Sequence, residues 1–266
     1  MKDLLIKEPN EFATARFEED FSIIELRIFK YMLSNVNKKD RHFEMIEFKA
    51  SDLIKLFKFK SNNFYNLMRK LSNKLIGRVI HIKKNNKLES FALYTKSETC
   101  KDKNLYQLKF NDDLKPYLLG KNNEYFIYYI SNILNLKTKQ LIRIYTYLVK
   151  ILPHNKNEYT IKLTIEKLRE DLNLEDKYRQ FKFLKAFVLE KAKEEITKKT
   201  DLIFDYECLR DEKDKRKVKY IVLKITRKPQ NKIEQKNIKE EVFVNKDKVC
   251  NMFKKTRMII KNETED

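Results

Sequence analysis

One order of periodic segments occurs twice along this chain, and no other feature limits its fold so tightly. In the first occurrence, Ser22-Ile23-Ile24-Glu25 has the form of a capping box: the Ser oxygen accepts from an orphan amide and the Glu reaches back to another. Ile24, Ile28, Tyr31 and Met32 follow at helical spacing, and the pattern fades over residues 35–37. Residues 43–48 alternate like a strand. Ser51 is placed to cap a short helix over 52–57, and Ser61 a longer one over about 62–76 that Gly77 stops. Two strands, 78–83 and 88–94, are then joined by Lys84-Asn85-Asn86-Lys87, whose Asn pair favours a turn.

The second occurrence predicts helices over 124–134 and 138–152, the latter stopped by Pro153, and a strand over 158–163. A helix over 164–172 and a long helix over about 177–198 follow, and strands 202–209 and 218–226 bracket the basic loop 210–217. Helix, strand, helix, helix, strand, strand is the order of a winged helix, a helix-turn-helix variant whose third helix enters the major groove beside a hairpin. The predicted fold class is therefore α+β. Two tandem winged-helix domains, residues 1–122 and 123–229, each carry a basic β-hairpin wing, and residues 230–266 form a weakly ordered or helical tail.

Charge falls on the same two modules. The chain has 59 Lys+Arg against 39 Asp+Glu, a net +20. Residues 1–122 hold 25 basic and 16 acidic residues, and residues 123–229 also hold 25 and 16, so each half is +9 and the tail +2. From Leu53 to Leu88 there are ten basic residues and no acidic one. Local excess of this kind is the footprint of a nucleic-acid binder rather than of a uniformly lysine-rich chain. No apolar run approaches the ~20 residues of a membrane span, and the first residues are expected to be too short a run for a signal peptide. Scattered Cys100, Cys208 and Cys250 suit reduced thiols, and the expected compartment is the cytoplasm.

The third helix of the first unit separates into two faces. Phe64, Leu67, Leu71 and Leu75 form an apolar stripe, while Asn62, Asn66, Arg69 and Asn73 lie opposite with Lys70 beside them. Asn and Arg read adenine and guanine edges bidentately, which marks this face as the DNA reader over an ordinary solvated one. Lys58, Lys60 and Ser61 precede it, and Lys83, Lys84 and Lys87 flank the hairpin turn. In the second unit Phe181, Leu184, Val188, Ala192 and Ile196 form the stripe. Lys177, Arg179, Lys182 and, at its border, Lys185 remain for DNA, with Lys215, Arg216 and Lys217 on the wing.

At these residues the chain resembles the plasmid replication initiators of the Rep_3 type, which are built from two winged helices. Phe21-Ser22 with Glu25-Leu26-Arg27-Ile28 and Tyr31-Met32-Leu33-Ser34 is similar to the opening helix of that family. Phe110-Asn111 with Leu114-Lys115-Pro116-Tyr117-Leu118-Leu119 resembles its inter-domain segment, and Leu141-Ile142-Arg143-Ile144-Tyr145 with Leu148 a helix that follows. Leu168-Arg169, Tyr178, Val188-Leu189-Glu190 and Thr200-Asp201-Leu202 resemble its second-domain core, over about residues 10–227 in all. Ala186, Phe187 and Lys191 depart from the pattern: further basic residues often precede the Val-Leu-Glu, and a proline is common where Lys191 stands. The resemblance implies binding to short repeats (iterons) at a plasmid origin, a monomer that initiates replication, and a dimer that represses its own gene. It also implies a host replicative helicase and a host initiator as partners.

Catalytic chemistry is not legible. His42, His81 and His154 are far apart and give no metal spacing, and no Walker-type Gly-x-x-x-x-Gly-Lys-Ser/Thr occurs in a chain with two glycines. Asp112-Asp113 and Glu194-Glu195 lie among lysines and read as capping or surface charge. No cofactor, metal or enzymatic activity is expected. A transcriptional regulator built from the same modules is the competing reading.

Overall fold

The computed structural model describes residues 4–18, 21–36, 42–58, 64–84, 87–100, 104–119, 124–212 and 214–229, leaving out the side chains of Phe64, Tyr65, Arg69 and Lys84. The tail 230–266 and the expected contributions of Lys60, Ser61 and Asn62 lie outside the described residues.

The first half opens with β1 (Leu5–Pro9), α1 (Asn10–Thr14) and β2 (Arg16–Phe17), followed by α2 (Ile23–Ser34). The capping box at Ser22 is formed: Ser22 Oγ accepts from the Glu25 amide at 3.2 Å and Glu25 Oε2 accepts from the Ser22 amide at 2.7 Å. Ile28, Phe29, Met32 and Leu33 turn inward. Then come β3 (Ile46–Lys49), α3 (Ala50–Phe57) and α4 (Phe64–Ile76). The cap of α3 is Lys49 rather than Ser51. Ser51 sits within the first turn.

After α4 the chain departs from the expected single hairpin. It runs through β4 (Val79–Lys84), β5 (Lys87–Ala92), β6 (Tyr94–Cys100) and β7 (Leu105–Phe110). The order β3-β7-β6 makes one three-stranded sheet and β2-β4-β5 another. The hairpin that completes the sheet with β3 is therefore β6–β7, and β4–β5 is an additional hairpin inserted before it. Leu93 and Tyr94 are both buried, which breaks the alternation and turns the chain from one sheet into the other. Strand β6 shows little apolar alternation after Tyr94, so sequence periodicity gives no signal for it.

A 3₁₀ turn (Asp112–Leu114) and α5 (Lys115–Leu118) lead to the second half. The helix expected over 124–134 is instead β8 (Tyr125–Tyr129) followed by the short α6 (Ile130–Leu134). Tyr-Phe-Ile-Tyr-Tyr is aromatic and β-branched, alternates Phe126 and Tyr128 inward, and finds a strand partner. The remaining elements are α7 (Lys139–Ile151), β9 (Glu158–Thr164), α8 (Ile165–Leu172), α9 (Phe181–Leu184), a π segment (Lys185–Leu189), α10 (Glu190–Lys199), β10 (Leu202–Arg210) and β11 (Val218–Arg227). Their sheet has the order β10-β11-β9. This is the winged-helix sheet, matching β6-β7-β3 in the first half.

Residues 1–227 form one compact unit. Its seam is an antiparallel ribbon in which β1 pairs with β8, Leu5 opposite Tyr129 and Pro9 opposite Tyr125. Arg27 Nη2 on α2 donates to the carbonyls of Leu134 and Leu136, each at 3.0 Å, and Asn173 Nδ2 donates to Ala15 O at 3.0 Å. Glu8 and Lys30 are buried as an ion pair in the same region.

Candidate nucleic-acid interface

In the first half the basic helix α4 stands on α3 and on the β6–β7 hairpin. Met68, Leu71 and Leu75 are buried, so the inward stripe includes Met68 beside the expected leucines. Asn66, Lys70 and Asn73, at spacings of four and three, share the exposed face. Arg69 belongs to the same helix by its backbone. Helix α3 ends on Lys58, a left-handed cap with φ 54° whose amide donates back to Ile54 and Lys55 and whose side chain is exposed.

Lys83 and Lys87 are also exposed, but on the inserted hairpin β4–β5, with Lys84 opposite Lys87 in the ladder. Lys83 Nζ reaches Glu170 Oε1 on α8 of the second half at 2.9 Å. That lysine, and then Lys167, hold the Glu170 carboxyl below its ordinary pKa. Part of this hairpin's charge is thus turned toward the protein itself.

In the second half the long helix begins at Phe181, so Lys177 and Arg179 stand in the loop ahead of it rather than in its first turn. Arg169 organises that loop. Its guanidinium donates to the carbonyls of Leu174 (3.4 Å), Lys177 (2.8 Å), Tyr178 (2.6 Å) and Arg179 (3.3 Å). The backbone is held in a left-handed turn at Tyr178, φ 56°. Lys177 and Arg179 are exposed at the mouth of the helix, and Lys182 and Lys185 on its first turns.

The β10–β11 hairpin exposes Lys215, Arg216 and Lys217. Asp214 shapes its tip by accepting from the Arg216 amide at 3.1 Å and from Arg216 Nε at 3.4 Å. Arg210 Nη1 donates to Lys215 O at 3.0 Å and braces the opposite side.

Residue patterns alone do not reveal two features of this surface. One is the framework role of Arg169, since contacts to four carbonyls depend on the loop's conformation. The other is the exposure of Phe183 and Phe187, 42% and 51%, on the same helix as Lys182 and Lys185. Their four-residue spacing off the buried stripe was the available signal.

The three histidines lie apart, each in a local contact of its own. His42 Nδ1 is 2.9 Å from Lys115 Nζ, His81 Nδ1 2.8 Å from Ser90 Oγ and His154 Nε2 2.7 Å from Tyr125 O. Among the described residues no group of three or more His, Cys, Asp or Glu side chains is placed to hold a metal ion, and no helix is long and apolar enough to cross a membrane. What the surface offers is exposed cations and amides on two helices and two hairpins.

Comparison with known proteins agrees with this geometry. Residues 5–149 match the region described as "Initiator Replication protein, WH1", and residues 164–225 that described as "Initiator Rep protein, WH2". A "Replication initiation protein" of Escherichia coli is 22% identical over 203 residues, 74% of this chain and 63% of that protein. The "PI protein" of Escherichia coli is 30% identical over 115 residues, 39% of this chain and 38% of that protein. The chain thus spans less than two thirds of the length of either relative. The structure of a Pi initiator protein in complex with iteron DNA has the same fold, with TM-score 0.72 and 19% identity over 86% of this chain and all of that one. With two winged helices in the matching order and both regions covered, the chain belongs to the Initiator Replication protein family.

Proposed function

We propose that the protein is a plasmid replication initiator that binds iteron repeats in duplex DNA at an origin. The observation that carries this reading is the pair of basic helices, α4 and α9–α10, each flanked by a basic hairpin and both built into one compact unit. Two reading helices in such a unit suit successive major-groove faces about one helical turn apart. In this reading Asn66, Arg69, Asn73 and, before them, Asn62 meet base edges. Lys58, Lys60, Ser61, Lys70, Lys83, Lys84 and Lys87 serve the phosphates of the first site. Lys177, Arg179, Lys182, Lys185, Lys215, Arg216 and Lys217 serve those of the second.

Residues 1–122 would carry dimerisation and DNA binding, and residues 123–229 DNA binding. The monomer occupies the iterons, bends them at a cost of roughly 1–6 kcal/mol per site and assists melting of neighbouring A·T-rich DNA. The dimer represses the protein's own gene. Unwinding belongs to a host helicase and a host initiator in the bacterial cytoplasm, since the sequence offers no nucleotide-binding loop.

The test is a plasmid that carries the gene with its flanking DNA in a host unable to replicate the vector backbone. Replication that depends on direct repeats upstream of the gene supports an initiator. Repeat binding without replication makes the protein a regulator. Nicking of supercoiled origin DNA in Mg²⁺ makes it an enzyme.

A further inference from the structure

The helix from Phe181 to Lys199 carries two large apolar side chains that its own core does not use. Phe183 and Phe187 are 42% and 51% exposed. Their rings stack at 6.0 Å with 20° between planes, and Tyr178 lies 6.4 Å from Phe187. A stacked apolar pair held out in water marks a surface that meets another molecule.

The backbone enforces this outward aim. Leu184, Val188, Ala192 and Ile196 are buried at steps of four, a row that drifts by about 40° per step on a regular helix of 3.6 residues per turn. The π segment Lys185–Leu189, closed by the Glu190 amide on Lys185 O, widens the turn where the drift accumulates. The apolar row stays inward and Phe187 remains outside.

The surroundings select the occupant. Lys182 Nζ lies 4.9 Å from the Phe183 ring centroid and Lys191 Nζ 5.7 Å from that of Phe187. Lys185 is exposed on the same turns, and Glu190 accepts from Tyr206 Oη at 2.7 Å. A cation-fringed apolar patch fits a polyanion that presents apolar groups at one depth. In the major groove the only such group on a base edge is the thymine C5-methyl.

We propose that Phe183 and Phe187 contact thymine methyl groups, so that the second reading helix recognises A·T pairs by apolar contact while lysines hold the backbone. This rests on the duplex-binding function proposed above.

The probe is a duplex selected by the full-length wild-type chain from a random-sequence library, made once with thymine and once with deoxyuridine, which lacks only the methyl. Wild type is expected to bind the uracil duplex more weakly, about fourfold for each methyl withdrawn from water. Phe187→Ala should lose a similar factor on the thymine duplex and keep only the discrimination that Phe183 supplies. The Phe183→Ala/Phe187→Ala double variant should become indifferent to uracil, and Lys182→Ala should weaken both duplexes equally. Phe183 and Phe187 are 42% and 51% exposed, so the variants keep their fold, and an unchanged melting temperature checks this. Equal wild-type binding to both duplexes overturns the inference while leaving duplex recognition intact. So does a double variant that still discriminates, or one whose only defect is loss of self-association. If no sequence is enriched over scrambled DNA, the proposed function fails and this inference with it.

Discussion

Lys30 Nζ donates to both carboxylate oxygens of Glu8, at 2.6 and 2.5 Å, with both side chains removed from water. Tyr128 Oη donates to the same carboxylate at 2.6 Å. One buried anion therefore ties together β1, α2 and β8, and with them the two halves of the protein.

Removing one member of such a pair strands the other. Lys30→Met should cost ~3–5 kcal/mol of stability, because Glu8 is left with Tyr128 alone. Glu8→Gln combined with Lys30→Met should regain more than half of that loss, since the amide keeps a partner and no charge remains buried. Urea denaturation of the two variants checks this. A double variant as unstable as the single one contradicts the pairing.

Arg169 should act on DNA binding without touching DNA. Arg169→Ala frees the carbonyls of residues 174–179, so Lys177 and Arg179 lose their fixed positions at the start of the reading helix. Affinity for repeat duplex should fall about tenfold, equivalent to ~1.4 kcal/mol, consistent with the net worth of one bond to a charged donor. Equilibrium titration beside thermal melting separates this from unfolding.

Salt dependence should distinguish the lysines of the inserted hairpin. Lys87→Ala should flatten the slope of log K against log salt by up to about 0.9, the value for one phosphate contact. Lys83→Ala should change the slope less, because Lys83 already faces Glu170 at 2.9 Å. Equal slopes for the two variants would contradict this division.

An acid-sensitive contact sits between the halves' first sheet and α5. Burial tends to raise the Asp112 carboxyl, but Lys115, the Phe43 amide and Lys109 outweigh it and hold the pKa at about 2. A depressed carboxylate contributes stability above its unfolded pKa, and that contribution is lost as pH falls through the folded value. Wild type should exceed Asp112→Asn in stability at pH 5–7 by no more than ~1 kcal/mol, the side chain being 40% exposed. The gap should close between pH 4 and 2. A gap that persists at pH 2 argues against the ionic origin.

Local chemistry was legible in the sequence. The Ser22–Glu25 box, the stops at Gly77 and Pro153, and the split faces of α4 all follow from neighbours within a turn or two. Long-range pairing was not. Tyr125–Tyr129 reads as helical until β1 is placed beside it, and β6 carries almost no apolar alternation for a periodicity to detect. Adjacent strands usually pair, so from sequence β4–β5 has the form of the wing, and only the β3–β7 register shows that β6–β7 completes the sheet with β3. At the interface Asn66, Lys70 and Asn73 could be placed on one face from spacing, whereas the fan of bonds from Arg169 required the folded loop.

The β1–β8 ribbon also sets a schedule for biosynthesis. Leu5 pairs with Tyr129, so β1 must wait for about 120 further residues to be made before its ladder can form. At ~5–20 residues per second that delay is about 6–24 s. Throughout it β1 stays unpaired, and the arrival of β8 at the start of the second half is the event that closes the first.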